Sequence, residues 1–190
     1  AVLGADLAGV LGRVGEQLAV RSGDEVAVAA ALGAMADAVV VTGVAEAADA
    51  LAHLKDTGAG RTGLLVTGGP PPLPREGWPV LPEGLRWAVD ALTAPEPLRP
   101  AVARALDRVA LVPDLAAAVR LVSAHPRVRA VTAAGDLVGA DWAVGGEREQ
   151  PGTLEVRARV DEAAAGSSAA AQRATDLADR LAAARAVAQD

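Results

Sequence analysis

The sequence contains no cysteine, no phenylalanine and no tyrosine, and its only aromatic residues are Trp78, Trp87 and Trp142. Without a thiol there is no disulfide, thiolate zinc site, iron–sulfur cluster or cysteine nucleophile, which fits a reducing compartment. Two histidines, His53 and His125, are too few for a three-histidine metal site. Lysine occurs once, at Lys55, among 18 basic residues, and 24 acidic residues leave a formal charge of −6. That balance argues against broad nucleic-acid affinity, which rests on many phosphate contacts, and leaves room only for a local basic patch.

A long apolar span is also missing. Val26 to Ala45 carries a single charge, Asp37, but consists mainly of Ala and Val and is interrupted by Gly33 and Gly43. A mid-span carboxylate costs about 2.5–3.5 kcal/mol on insertion scales, and alanine offsets little of it. The stretch therefore reads as a helix followed by a buried strand, and no membrane partner is expected. Ala1 to Gly15 lacks the basic start and apolar run of a secretory signal. The chain opens on alanine rather than Met and is expected to be a piece of a longer protein.

What is abundant is alanine, at 47 of 190 positions, with 20 glycines and 12 prolines. The preference of Ala over bulk and of Arg over Lys matches a GC-rich coding background. Within it, patterns stand out. Asp24 is placed to N-cap a helix over Glu25–Met35, followed by a short buried strand at Ala38–Val41. Val44 to Asp56 reads as an amphipathic helix with Val44, Ala47, Ala48, Leu51 and Leu54 on one face, stopped by Gly58 and Gly60. Thr62–Val66 is a second strand. Gly68 to Pro74, with Pro79 and Pro82, makes a loop of about fifteen residues, long enough to separate subdomains. Leu85–Leu92 and Pro100–Leu106 read as helices.

The second block repeats the first. Val109–Val112 is a strand, Pro113-Asp114 opens a helix with Leu115, Ala118, Val119 and Val122 on one face, His125-Pro126 ends it, and Val128–Ala133 is a strand. Residues 39–66 and 109–133 thus share the order strand, turn, helix with a late histidine, break, arginine, strand. A duplicated β-α-β unit follows, with each strand pair parallel. Next, Gly135, Gly139, Gly145 and Gly146 surround short strands at Leu137-Val138 and Trp142–Val144, marking tight turns or places where another backbone comes close. From Leu154 to Asp190 a heptad register fits: Val160, Ser167, Ala174, Leu181 and Ala188 take one seam position, and Val156, Ala163, Ala170, Leu177 and Ala184 the other. The seam is thin, weakest at Gly166-Ser167-Ser168, and needs a partner helix.

No catalytic set emerges. Gly58-Ala59-Gly60-Arg61-Thr62-Gly63 satisfies G-x-G-x-x-G, but follows a helix and leads into a strand, the reverse of a dinucleotide loop, so no cofactor is expected. His53 and His125 hold matching places near helix ends, where the dipole favours them. Asp136 reads as a turn-capping residue. Ser123 lies two residues from His125, a spacing at which helical neighbours do not face each other, and G-x-S-x-G is absent. Arg148, Arg157 and Arg159 form a candidate DNA-facing patch, diluted by Glu147, Glu149 and Glu155.

The stretches GVLGRVGEQLAV (9–20), EVAVAAALGAMADAVVV (25–41), ALAHLKDTGAGRTGLL (50–65) and RAVTAAGDLVGADWAVGG (129–146), in this order, resemble the hinge domain of SMC (structural maintenance of chromosomes) proteins of the bacterial chromosome-partition type. The resemblance implies a mixed α/β (α+β) fold of two pseudo-repeated lobes of small sheets packed with helices, plus a C-terminal coiled-coil segment. Residues 1–8 would end the incoming arm, 9–150 form the hinge (lobe one about 9–68, linker about 69–98, lobe two about 99–150), and 151–190 start the outgoing arm. It implies a non-catalytic homodimerisation module of a cytoplasmic, nucleoid-associated protein, with ATP bound only at heads outside this chain and DNA contact weak. Two copies would join through strand pairing at two equivalent contacts, with Gly135, Asp136, Gly139, Gly145 and Gly146 at the interface. Gly33 and Gly60-Arg61 match positions with a structural role. Two departures stand out: Ala140-Asp141-Trp142 replaces a glycine, so that Trp142 is expected to pack across the interface, and Glu147-Arg148-Glu149-Gln150 follows Gly146 where some members carry basic residues. The alternative from another class is a small-ligand-binding regulatory module with two β-α-β lobes, its ligand near the strand C-termini, where Thr42, Thr67 and Asp114 are the available polar groups.

Overall fold

Two parallel strand pairs, each joined by a helix, carry the architecture. The computed structural model describes residues 2, 7–72, 74–146 and 153–187, with the backbone alone for Glu155, Asp179 and 181–187. In chain order the elements are β1 (Val10–Arg13), α1 (Val14–Gln17), β2 (Ala19–Val20), α2 (Glu25–Leu32), β3 (Val39–Val41), α3 (Val44–Asp56), β4 (Leu64–Val66), β5 (Arg86–Trp87), β6 (Leu92–Thr93), α4 (Arg99–Ala105), β7 (Val109–Val112), α5 (Leu115–Ala124), β8 (Arg129–Thr132), β9 (Leu137–Val138), β10 (Ala143–Val144) and α6 (Thr153–Val187).

Lobe one is a three-stranded sheet in the order β1-β3-β4, and lobe two a five-stranded sheet in the order β10-β9-β8-β7-β5. The pairs β3–β4 and β7–β8 are parallel, and every other pairing is antiparallel. The parallel strands are covered on both faces, which is why Val39–Val41 and Val109–Val112 are unbroken apolar runs rather than alternating ones. Along β7, Val109 and Leu111 enter the main core while Ala110 and Val112 pack under α5. Along β3, Val40 enters the main core and Val39 packs under α3 with Ala50 and Leu54. Hence α3 and α5 lie on outer faces, and one shared core, with α2 in it, lies between the two sheets.

That shared core departs from two lobes joined by a linker. Ala88, Ala91, Ala94 and Leu98 are all buried in it. The expected helix at Leu85–Leu92 is instead β5, a 3-10 turn at Ala88–Ala91, and β6, because Arg86-Trp87 pairs with β7 and Leu92-Thr93 with β2. The two neighbouring strands offer more hydrogen bonds than an isolated helical turn. Five of the eight residues of α2 are buried, four of them Ala27, Val28, Ala29 and Ala31, and the small side chains let it reach β8 of lobe two.

Helix ends follow local chemistry. Asp114 accepts a hydrogen bond from the Ala117 amide at 2.7 Å, the expected N-cap of α5. Asp24 does not cap α2; its carboxylate is engaged by Arg86, and Glu25 accepts from the Gly23 amide instead. After α3, Gly58 sits at φ +60°, its amide donates to the Lys55 carbonyl and that of Ala59 to Leu54, a helix stop that accounts for the glycine-rich run there.

By contact the chain divides into residues 1–155 and 156–190. The second unit is the body of α6, a single helix of 35 residues, about 50 Å long, continuous through Gly166-Ser167-Ser168. Its seam residues Val156, Val160 and Leu177 are exposed. Leu181, Ala184 and Ala188 of the seam lie where no side chain is described. At the root of the helix Leu154 is buried in the main core and Thr153 hydrogen-bonds Asp37. Among the described residues no helix is long and apolar enough to cross a membrane.

Candidate functional site

The glycine-rich segment forms the β9–β10 hairpin at one end of the larger sheet. Its first turn is built on Thr132, which is almost completely buried and whose Oγ1 accepts from the Asp136 amide at 3.0 Å and donates to Asp136 Oδ2 at 3.1 Å. Gly135 in that turn has φ +93°, open to glycine and strained for other residues, and a Cβ there would lie 3.1 Å from Val26 of α2. The Gly139 amide donates to the Trp142 carbonyl at 2.8 Å and closes the hairpin. The carboxylate of Asp136 then reaches across to the end of β10, accepting from the Gly146 amide at 3.1 Å. Asp136 is therefore a turn residue, as expected, and also the tie between the start of β9 and the end of β10.

This tie gives Gly145 a reason inside the chain. A Cβ at Gly145 would overlap the Asp136 carboxylate, and one at Gly139 would press on the Trp142 carbonyl. Around Gly146 there is open space, although its φ of +107° favours glycine. The expectation that all four glycines are bare to admit another backbone thus narrows: three of them have neighbours within the fold.

The hairpin leaves an open edge. β10 is the last strand of its sheet, both of its residues are exposed, and no described strand pairs with its far side. Trp142 is 62% exposed and Val144 stands out beside it. A strand edge with unpaired amides and carbonyls, flanked by an exposed tryptophan and valine, is a template for another strand. Lobe one has an open edge of its own at β4.

The other candidates separate from this site. Arg157 pairs with Asp161 at 3.4 Å and Arg159 is exposed on α6, while Arg148 lies outside the described residues. No group of three or more metal-ligating side chains occurs among the described residues. At the C-terminal ends of β7 and β8, Val112 and Ala133 line a cavity of about 290 Å³ with Asp24, Glu83 and Arg86. There Arg86 grips Asp24 at 2.6 and 3.2 Å, which holds the guanidinium above its ordinary pKa range and leaves neither charge directed at a ligand. Thr67 donates to the Thr42 carbonyl and Asp114 caps α5, so two of the three side chains named for a ligand-binding module are engaged by the fold. Sequence reasoning missed the Asp24–Arg86 clamp, since the two residues are 62 positions apart. It placed the faces of α3 and α5 only in part: Ala47 and Leu54, and Ala118 and Val122, meet the cores as expected, together with Ala50, Ala117 and Leu121, whereas Val44 and Leu51, and Leu115 and Val119, are exposed.

The model of the SMC proteins' flexible hinge domain matches residues 7–122, more than half of the chain. This chain belongs to the SMC hinge family. Its glycine hairpin lies beyond the matched span, but whole-chain relatives extend over it. The chain is 44% identical over 176 residues to the chromosome partition protein Smc of Mycolicibacterium paratuberculosis, covering 92% of this chain and 14% of that protein. It is 41% identical over 172 residues to that of Mycobacterium tuberculosis, covering 90% of this chain and 14% of the relative. The hinge chain thus spans about a seventh of the length of these curated relatives. Among solved structures it resembles an asymmetric dimer of the Geobacillus stearothermophilus SMC hinge domain, with TM-score 0.70 and 25% identity over 85% of this chain and 68% of that one. It also resembles the Pyrococcus furiosus SMC hinge domain, with TM-score 0.64 and 26% identity over 80% of each chain. The mixed α/β fold expected from the sequence is the fold of these hinges, and the chain is a non-catalytic domain.

Proposed function

We propose that this hinge holds two copies of a longer chromosome-organising protein together, as a homodimer in which the glycine hairpin of each copy meets the other copy. The carrying observation is the open β10 edge with Trp142 and Val144 exposed beside it. The solved Geobacillus relative, itself a dimer, supports the reading. Residues 1–8 then end an incoming coiled-coil arm, 9–150 make the hinge and 151–190 begin the outgoing arm, whose exposed seam awaits the incoming helix. Alone, such a helix is marginal. The hinge itself performs no chemistry: ATP turnover belongs to heads in the remaining length of the protein, and the work is done at the nucleoid, in the cytoplasm. The two-fold pairing keeps two long arms joined so that the assembly can enclose or bridge DNA. Direct DNA contact through Arg157 and Arg159 has no comparable support.

Light scattering over a dilution series tests this. The expected mass is about 38 kDa, twice the 19.0 kDa of the chain, persisting on dilution. A strict 19.0 kDa monomer would overturn the reading. Trp142→Glu with Val144→Glu, both at exposed positions, should give a folded monomer; retention of the wild-type dimer would move the interface elsewhere.

A further inference from the structure

The proline-rich loop after β4 has no role in the site described above, yet it encloses a cavity together with β6 and α4. The cavity has a volume of about 750 Å³, within the range of small-molecule sites, about 300–1,000 Å³. Val89, Leu92 and Val102 line it, and all three pack in or against the main core. Trp78 lines it from the loop.

The position of Trp78 is fixed from two sides. Its ring centroid lies 4.5 Å from that of Trp87, with the planes at 63°, and the Arg75 guanidinium carbon lies 5.1 Å from the same ring. Arg75 is held in turn by two hydrogen bonds to Asp90, at 2.6 and 3.0 Å. An aromatic wall ordered before binding costs a ligand little further loss of freedom.

The charges lining the cavity are unequal. Arg75 is paired with Asp90, and Arg99 with Glu96 at 2.6 Å. Arg104, half-buried on α4, donates to the Pro70 carbonyl and makes no ion pair among the described residues. Gly69 leaves the room in which its guanidinium lies, since a Cβ there would sit 2.7 Å from Nη2. One positioned, unpaired cation thus stands beside apolar walls, where low polarity strengthens its attraction for an anion. Asp107 also lines the cavity and would repel a second negative group.

We propose that this cavity binds a small organic anion, an aromatic body carrying a single carboxylate or sulfonate, with the anionic group on Arg104 and the body against Trp78, Leu92 and Val102. A polyanion such as a nucleotide or a nucleic-acid strand fits poorly, because one free guanidinium faces one carboxylate across the lining.

The test uses the full chain and two dyes with the same aromatic body, the anionic 1-anilinonaphthalene-8-sulfonate and the neutral N-phenyl-1-naphthylamine. Fluorescence titration should show one saturable anionic-dye site per chain, with the neutral dye bound about tenfold more weakly. Arg104→Gln should weaken the anionic dye about tenfold and leave the neutral dye unchanged. Ala103→Trp, which fills the cavity from α4, should remove both, and circular dichroism should show both variants folded. 1-Naphthoate should displace the anionic dye and a single-stranded oligonucleotide should not. Anionic-dye binding that ignores Arg104→Gln would place the dye elsewhere, for example on the exposed seam of α6, and would overturn the proposal. Equal affinity for the two dyes would do the same, since the cation would then contribute nothing. Displacement by the oligonucleotide would make the surface a nucleic-acid contact and overturn it as well. If Ala103→Trp fails to fold, the Arg104→Gln comparison of the two dyes decides alone.

Discussion

The two lobes run the same strand-helix-strand unit and finish it differently. Lobe one stops at β4 and takes its third strand, β1, on the opposite side of β3. Lobe two continues past β8 into the β9–β10 hairpin, pinned by Asp136, and receives β5 on the far side of β7. The helix starts differ as well. Gly43 before α3 and Asp114 before α5 have nearly the same extended backbone, φ −162° and −152°, yet only Asp114 can offer a side-chain cap. A duplicated unit thus supplies two similar halves, and small differences at their margins make the two sheets end differently.

The comparison can be broken first at what the lobes share. Leu98 is buried in the common core, and Leu98→Ala should cost about 2–5 kcal/mol. Unfolding followed by far-ultraviolet circular dichroism and by tryptophan fluorescence should keep a single common midpoint, shifted together in the variant. Separate midpoints would show that the lobes unfold independently. Next comes the hairpin that lobe one lacks. Gly145→Ala should destabilise by about 1–2 kcal/mol because the new methyl meets the Asp136 carboxylate, and Asp136→Ala by about 1 kcal/mol through lost hydrogen bonds. Together they should cost about 1 kcal/mol less than their sum, since the second removes the group the first collides with. Strict additivity in denaturant titrations would show the collision to be relieved some other way. Aspartates at Gly145 and Gly146 would therefore mix hairpin damage with interface damage, which makes Trp142 and Val144 the cleaner positions.

Smaller effects sharpen the contrast between the helix starts. Asp114→Ala should lower stability by about 1 kcal/mol through loss of the cap on Ala117. Gly43→Asp should raise it by only a few tenths, about the difference between glycine and aspartate at an N-cap, once the Glu46 side chain swings away. Thermal melts of the two variants should move in opposite directions, and a loss of stability at Gly43→Asp would mean that Glu46 is held in place.

Much of the local structure was legible. The bounds of α3 and β7 follow from periodicity and punctuation: a strand of valines, a Gly or Pro-Asp break, then an apolar row ending at Gly58 or His125-Pro126. The parallel pairing followed from the repeat. The segment Leu85–Leu92 was misread because its fate depends on β7 and β2, which come from distant parts of the chain. Asp24 was read as a cap because a nearby amide is the only partner visible in sequence, whereas folding brings Arg86 to it. In α3 and α5, alanines and larger apolar residues alternate around the helix, so periodicity alone could not say which row faces inward. Packing close to the sheet selected Ala47 and Ala50, and Ala117 and Ala118, and left Val44, Leu51, Leu115 and Val119 outside.

By itself, the sequence determined the family, the duplicated unit, the absence of thiol chemistry, and the place of the glycine hairpin, because each depends on residue type or short-range spacing. The tertiary structure decided that one core serves both lobes, that the Asp136 carboxylate occupies the space above Gly145, and that β4 and β10 each end a sheet. Those outcomes depend on which distant segments compete for the same strand edge or the same buried volume, and that competition is settled only when the whole chain packs.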